Sequence, residues 1–197
     1  MSYGKRFLRV LFAFTLPQRS PPFQTGAFAA VAPLSTSVAL WPVLGNSELP
    51  TNYWVPGKRI WVRAFGTMTT GTTPGNLTVE MRLAQASAGG VIIATSSAIA
   101  LTASKSNIAW WFEGVYECRA NGASGSMFGY GKFIPNQLGL LIPAANNPLI
   151  LPESGTMAAV SVDTTAAANA GISLQMKRSG STAESVTVHD LAINSMN

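Results

Sequence analysis

The feature that most limits how this chain can fold is the spacing of its apolar residues. Leu77, Val79, Met81 and Leu83 alternate with Thr78, Glu80 and Arg82. Ile60, Val62 and Ala64 alternate with Arg59, Trp61 and Arg63. Trp110, Phe112, Tyr116 and Cys118 share one parity with Gly114, opposite Trp111, Glu113, Glu117 and Arg119. Ile172, Leu174 and Met176 are set against Ser173, Gln175 and Lys177 in the same way. A period of two puts successive side chains on opposite faces of a strand, so each segment offers one face to a core. In the last segment Val186 and Val188 are in phase, but Leu191 and Ile193 fall on the other parity. One extra residue near His189 and Asp190, a β-bulge, restores the phase.

Shorter candidate strands lie at 38–41, 91–95, 127–134, 148–151 and 157–162, with turn signals at 72–76, 88–90, 121–125 and 179–182. No long amphipathic helical pattern competes with them. Many short strands without helices predict an all-β protein, and an antiparallel jelly-roll-like β-sandwich is the expected form over residues 37–197. Residues 136–147, rich in Gly, Pro and Asn, are expected to be a long loop. No repeat of fixed period is present.

Residues 1–36 follow different rules and are read as an extended N-terminal arm. They hold Lys5, Arg6, Arg9 and Arg19 and no acidic residue, the first acid being Glu48. Four of the 13 cations are therefore here, which places nearly all of the net charge of +5 on the arm. Pro17, Pro21, Pro22 and Pro33 forbid a long helix and favour extended backbone. Phe7, Phe12, Phe14 and Phe23 make the arm too apolar for a solvated tail, so it is expected to lie on a neighbour's surface or to return to its own domain as an edge strand. The start superficially resembles a signal peptide, but its apolar stretch is short and runs into Pro17, Gln18 and Arg19.

Composition narrows the chemistry. Charged residues are 11% of the chain, against roughly 25% in typical soluble domains. With a mean hydropathy of +0.24, this suits a subunit covered by other subunits. One His and one Cys, 71 positions apart, are a poor start for a metal site, and no metal or cofactor is expected. His189 is the sole imidazole and no Gly-x-Ser-x-Gly elbow occurs, so an enzyme is not expected. Glu113 and Glu117 lie on one strand face about 13 Å apart by strand rise and are read as solvated strand charges. The run Gly131-Lys132-Phe133 lacks the Ser or Thr of a phosphate loop. The body is nearly neutral, so nucleic acid is not an expected partner. No apolar run reaches the roughly 18 residues that span a bilayer. Trp41, Trp54, Trp61 and Trp111 are the candidate surface aromatics, either burying a subunit interface or stacking on sugar rings, with the interface preferred.

The stretch Val160-Ser-Val-Asp-Thr-Thr-Ala-Ala-Ala-Asn-Ala-Gly-Ile-Ser-Leu-Gln-Met176, followed by Thr182-Ala-Glu-Ser-Val-Thr-Val-His-Asp-Leu-Ala-Ile193, resembles a passage of tailed-bacteriophage virion structural proteins. In those proteins a strand ending in Asp-Thr-Thr-Ala leads to an apolar-alternating strand, a small-residue turn and a final Val/Thr-rich strand. Lys58-Arg-Ile-Trp-Val-Arg-Ala-Phe-Gly66 and Gly75-Asn-Leu-Thr-Val-Glu-Met-Arg-Leu83 resemble their earlier hairpin. The likeness spans about residues 50–195 and departs from the pattern at Met176-Lys177-Arg178, where those proteins carry an aromatic strand end. It implies a jelly-roll virion component, often trimeric, that decorates the capsid exterior or forms part of a fibre or tail. The expected function is thus a capsid decoration (cement) protein, its partners the major capsid protein and further copies of itself. Arm residues Lys5, Arg6, Phe7, Arg9, Phe12, Phe14, Arg19 and Phe23 would make the capsid contacts. The alternative is a fibre or receptor-binding module that recognises host glycans.

Overall fold

Two antiparallel sheets stack face to face in the computed structural model, which describes residues 37–41, 49, 52–83, 90–135, 148–153, 157–169, 171–179 and 184–196. The smaller sheet contains β1 (Ser37–Trp41), β3 (Asn76–Leu83), β4 (Val91–Thr95), β5 (Ile99–Ala100) and β10 (Ile172–Arg178). The larger contains β2 (Arg59–Thr69), β6 (Ile108–Ala120), β7 (Ser126–Pro135), β8 (Leu149–Leu151), β9 (Val160–Ser161) and β11 (Ser185–Ser195). Strand order is β1-β10-β3-β4 in the first, with β5 on β3, and β11-β2-β6-β7-β8 in the second, with β9 on β7. The chain crosses between the sheets from β1 to β2, β2 to β3, β5 to β6, β9 to β10 and β10 to β11. This crossing gives the sandwich its jelly-roll-like order. No α-helix occurs among the described residues; a single 3-10 turn covers Ala167–Asn169. The arm, residues 1–36, and the expected loop at 136–147 lie outside the described residues.

The alternation that the sequence carries becomes the core. Ile60, Val62, Leu77, Val79, Met81, Phe112, Phe133, Leu174 and Val186 are fully enclosed between the sheets, with Trp110 at 1% exposure. Each large side chain buried in this way contributes about 1.5–3 kcal/mol. Gly66 makes room for the Trp110 ring: a Cβ there would collide with the Thr187 carbonyl and come within 2.6 Å of the indole. The Tyr116 hydroxyl crosses the core and donates to the Ser173 carbonyl at 2.7 Å, tying β6 to β10. The predicted bulge is present, the β11–β2 register shifting between Val188 and Asp190. Val188 and Leu191 both face the core as a result.

Two features were not visible as period-two patterns. In β10, which pairs with β1 on one side and β3 on the other, the polar residues Ser173 and Gln175 are buried along with the apolar ones. Arg178 and Glu184 form a buried ion pair at 2.7 Å where the chain passes from β10 to β11. The Asp-Thr-Thr-Ala segment is a structural clasp. Asp163 Oδ1 accepts from the Thr165 amide and hydroxyl and from the Ala166 amide, while Thr164 exchanges bonds with Gly122. The Thr165 hydroxyl, then its amide, lowers the Asp163 carboxyl below its usual range. The clasp fastens the 160–166 segment to the β6–β7 hairpin turn.

Candidate functional site

The outer face of the larger sheet gathers most of the outward-parity aromatic and charged residues. Antiparallel register lines them up in cross-strand rows. Trp61 lies beside Val115 and then Tyr130; Arg63 beside Glu113, Lys132 and Ile150; Phe65 beside Trp111 and Ile134. Trp61 and Trp111 are half-buried, whereas Phe65, Tyr130 and Ile150 are exposed. The centre of this surface is Arg63. Its guanidinium carbon sits 4.8 Å from the Trp111 ring centre and 5.8 Å from that of Trp61. Asp190 holds the same side chain from β11 at 3.8 Å. Phe65 meets Trp111 edge-on at 6.4 Å, and His189 lies 6.1 Å from Phe65 with its Nε2 3.2 Å from the Thr67 hydroxyl.

Glu113 organises the neighbouring part of the face. Its Oε1 accepts from the Trp61 indole N–H at 3.1 Å and its Oε2 pairs with Lys132 Nζ at 3.3 Å. Beside it opens a groove of about 490 Å³, bounded by Trp61, Tyr130, Lys132, Ile150 and Met157, with the Gly114 and Gly131 backbones beneath. Farther along, Glu117 is not the solvated charge expected: it is 5% exposed, covered by the two guanidinium groups that pair with it, Arg59 at 2.9 Å and Arg119 at 3.0 Å. Arg119 in turn lies over the Phe128 ring at 5.1 Å. The charges here are interlocked with one another and with rings, so little side-chain freedom is left to lose when the face is covered.

The four tryptophan candidates separate. Trp61 and Trp111 are brought together on this face through Arg63. Trp54 is not available to a partner: it is 3% exposed, packed in the core and edge-on to Tyr53 at 5.3 Å. It precedes β2, where alternation gives no parity to read, and core packing decides its place. Trp41 ends β1, whose pairing with β10 is described but whose side chains are not. The arm candidates Lys5, Arg6, Phe7, Arg9, Phe12, Phe14, Arg19 and Phe23 lie outside the described residues. Phe65, Tyr130 and Ile150 were missed as surface aromatics and aliphatics, although outward parity on β2, β7 and β8 marks all three. Among the described residues no three His, Cys, Asp or Glu side chains cluster as metal ligands would.

Compared with known proteins, the chain matches no family model, no curated protein and no solved structure.

Proposed function

We propose that this chain is a structural protein of a tailed-phage virion, a capsid decoration protein that binds the major capsid protein and associates with copies of itself, as a trimer, through the outer face of its larger sheet. The observation that carries the reading is Arg63 held between Trp61 and Trp111 on the outer face of the larger sheet. Arginine and tryptophan are the residues that dominate protein interfaces, and here they are ordered before any partner arrives. The phage-like strand pattern at 58–66, 75–83 and 160–193 supplies the virion context. In this reading the cationic residues of the arm bind acidic patches on the shell, and many weak contacts repeated by symmetry stiffen it.

One observation favours a second reading. The groove beside Glu113, with Trp61 and Tyr130 as ring surfaces and Lys132 and Glu113 as polar groups, has the dimensions and lining of a small-ligand site, and suits a host glycan. Sedimentation of the wild type and a Trp61→Ala/Trp111→Ala variant, each alone and with empty capsids of the phage, separates the two. The decoration reading expects a wild-type trimer that co-sediments with capsids and a folded variant whose self-association is weaker by roughly 30-fold or more. A wild type that is monomeric and ignores capsids overturns it. Glycan-array binding lost in Trp61→Ala would then establish the second.

A further inference from the structure

The sequence contains a single Asn-Gly pair, Asn121-Gly122, and the fold places it in the turn between β6 and β7. Each of the other asparagines from Asn46 to Asn194 is followed by a residue that carries a side chain. A side chain there crowds the approach of the following backbone nitrogen to the asparagine Cγ, whereas glycine leaves that approach open. Asn121 is exposed. The turn itself demands the glycine, because Gly122 sits at φ +103°, in the region that a side chain would strain.

The Gly122 peptide, which holds the nucleophilic nitrogen, is pinned on both sides. Its N–H donates to Thr164 Oγ1 at 2.9 Å. Its carbonyl accepts from the Thr164 amide at 3.1 Å and from the Gly125 amide at 3.0 Å. Thr164 is 7% exposed, and the residues around it are fixed in turn. Asp163 Oδ1 accepts from the Thr165 hydroxyl at 2.6 Å and the Thr165 amide at 2.9 Å, and the Val162 amide donates to the Gly125 carbonyl at 2.9 Å. The one asparagine whose neighbour is free of steric bulk is therefore the one whose neighbour is tied down by the clasp.

We propose that Asn121 is a modification site, its side-chain amide converting to a carboxyl in the folded protein at a rate governed by the bonds between Thr164 and Gly122. When the Gly122 amide leaves Thr164, its nitrogen attacks the Asn121 Cγ. The N–Cγ bond forms and the Cγ–Nδ2 bond breaks, and Nδ2 departs as ammonia with the proton that the Gly122 nitrogen gives up. Water then opens the cyclic imide. Cleavage of the N–Cγ bond leaves an ordinary backbone with a carboxylate side chain at 121. Cleavage of the bond to the backbone carbonyl routes the chain through Cβ and Cγ, with an extra carbon between the Cα of residue 121 and the Gly122 nitrogen. That product moves Gly122 out of register with Thr164 and releases the turn irreversibly. This inference stands apart from the proposed function.

Peptide mapping by mass spectrometry tests it, following the amide-to-acid mass change at each asparagine in the full chain held folded at mildly alkaline pH. Expected is conversion at Asn121 ahead of every other described asparagine, and several-fold slower than in the same chain unfolded in urea. Thr164→Val and Asp163→Ala loosen the clasp from two sides and should each speed conversion by on the order of 5-fold, the range of one hydrogen bond. Thr164→Ser keeps the hydroxyl and should match the wild type. Tyr116→Phe weakens the sandwich away from the turn and should leave the rate unchanged. Asn121 that stays an amide in every folded protein overturns the proposal, as do clasp variants that convert no faster than the wild type and a folded chain that converts as fast as the unfolded one. A Thr164→Val rate below that of the wild type would make the hydroxyl a helper of the attack and overturn it too. So would a Tyr116→Phe rate raised as much as that of Thr164→Val, which would place the reaction in the unfolded chain.

Discussion

Arg178 and Glu184 form an ion pair that the fold encloses almost completely. Their side chains are 3% and 0% exposed and meet at 2.7 Å. Burial raises the Glu184 carboxyl above its ordinary 4.5, and the charge and hydrogen bond of Arg178 oppose that rise only in part. A carboxyl whose folded value is raised binds its proton more readily in the folded state. Its contribution is therefore full below pH 4.5 and declines as pH rises from there through the raised value. Urea unfolding across this window should show a falling component in the wild type that Glu184→Gln lacks; parallel pH profiles for the two proteins would contradict it. Arg178→Ala leaves an uncompensated buried carboxylate and should cost about 3–5 kcal/mol near neutral pH. The apolar double variant Arg178→Met/Glu184→Leu should recover most of that loss, since replacing both charges removes the desolvation cost along with the attraction. A double variant as unstable as Arg178→Ala would mean that the pair is held by partners beyond its two members.

At the scale of elements, the two sheets are joined by more than apolar contact. Burial pushes the Tyr116 phenol well above its ordinary 10.0, a backbone contact with Arg82 opposing the shift. Tyr116→Phe removes the bond to the Ser173 carbonyl and should cost about 1–2 kcal/mol. The sign of the pH effect follows from the raised value: above pH 10 the unfolded chain releases this proton first, so the wild type should lose stability with rising pH faster than Tyr116→Phe. Equal slopes would place the hydroxyl in water. Most of this architecture could be read in the sequence. Period-two spacing is a local consequence of strand geometry, so the core faces of β2, β3, β6 and β10 and the bulge at 188–190 were all legible. The outward parity of Trp61 and Trp111 was legible for the same reason. Their union through Arg63 was not, because it depends on the β2–β6 register. Trp54 was misread as a surface residue because no strand period governs position 54. The Arg178–Glu184 pair joins residues whose meeting is set by the turn from one sheet to the other, and nothing in either strand's pattern announces it.

For the whole molecule, the question is whether the sandwich opens as one unit. Cys118 is a built-in probe. It is 0% exposed, burial raises its thiol above the ordinary 9.0, and its sulfur lies 3.5 Å from the Ala120 carbonyl. It sits on β6, paired with β7 and bonded through its amide to Lys58, so reagent reaches it only if these strands part. If the two sheets separate cooperatively, the opening free energy from thiol-labelling rates should equal that from urea unfolding to within about 1 kcal/mol. A much smaller labelling value would mean that the β6–β7 hairpin opens by itself. The Asp163 clasp identifies where such a local route would start, because it fastens the hairpin turn through Gly122 and Gly125. Asp163→Ala should therefore speed labelling of Cys118 more than it lowers global stability. If both quantities fall together by the same free energy, the clasp is part of the single cooperative unit, and the sandwich has no weak corner at that turn.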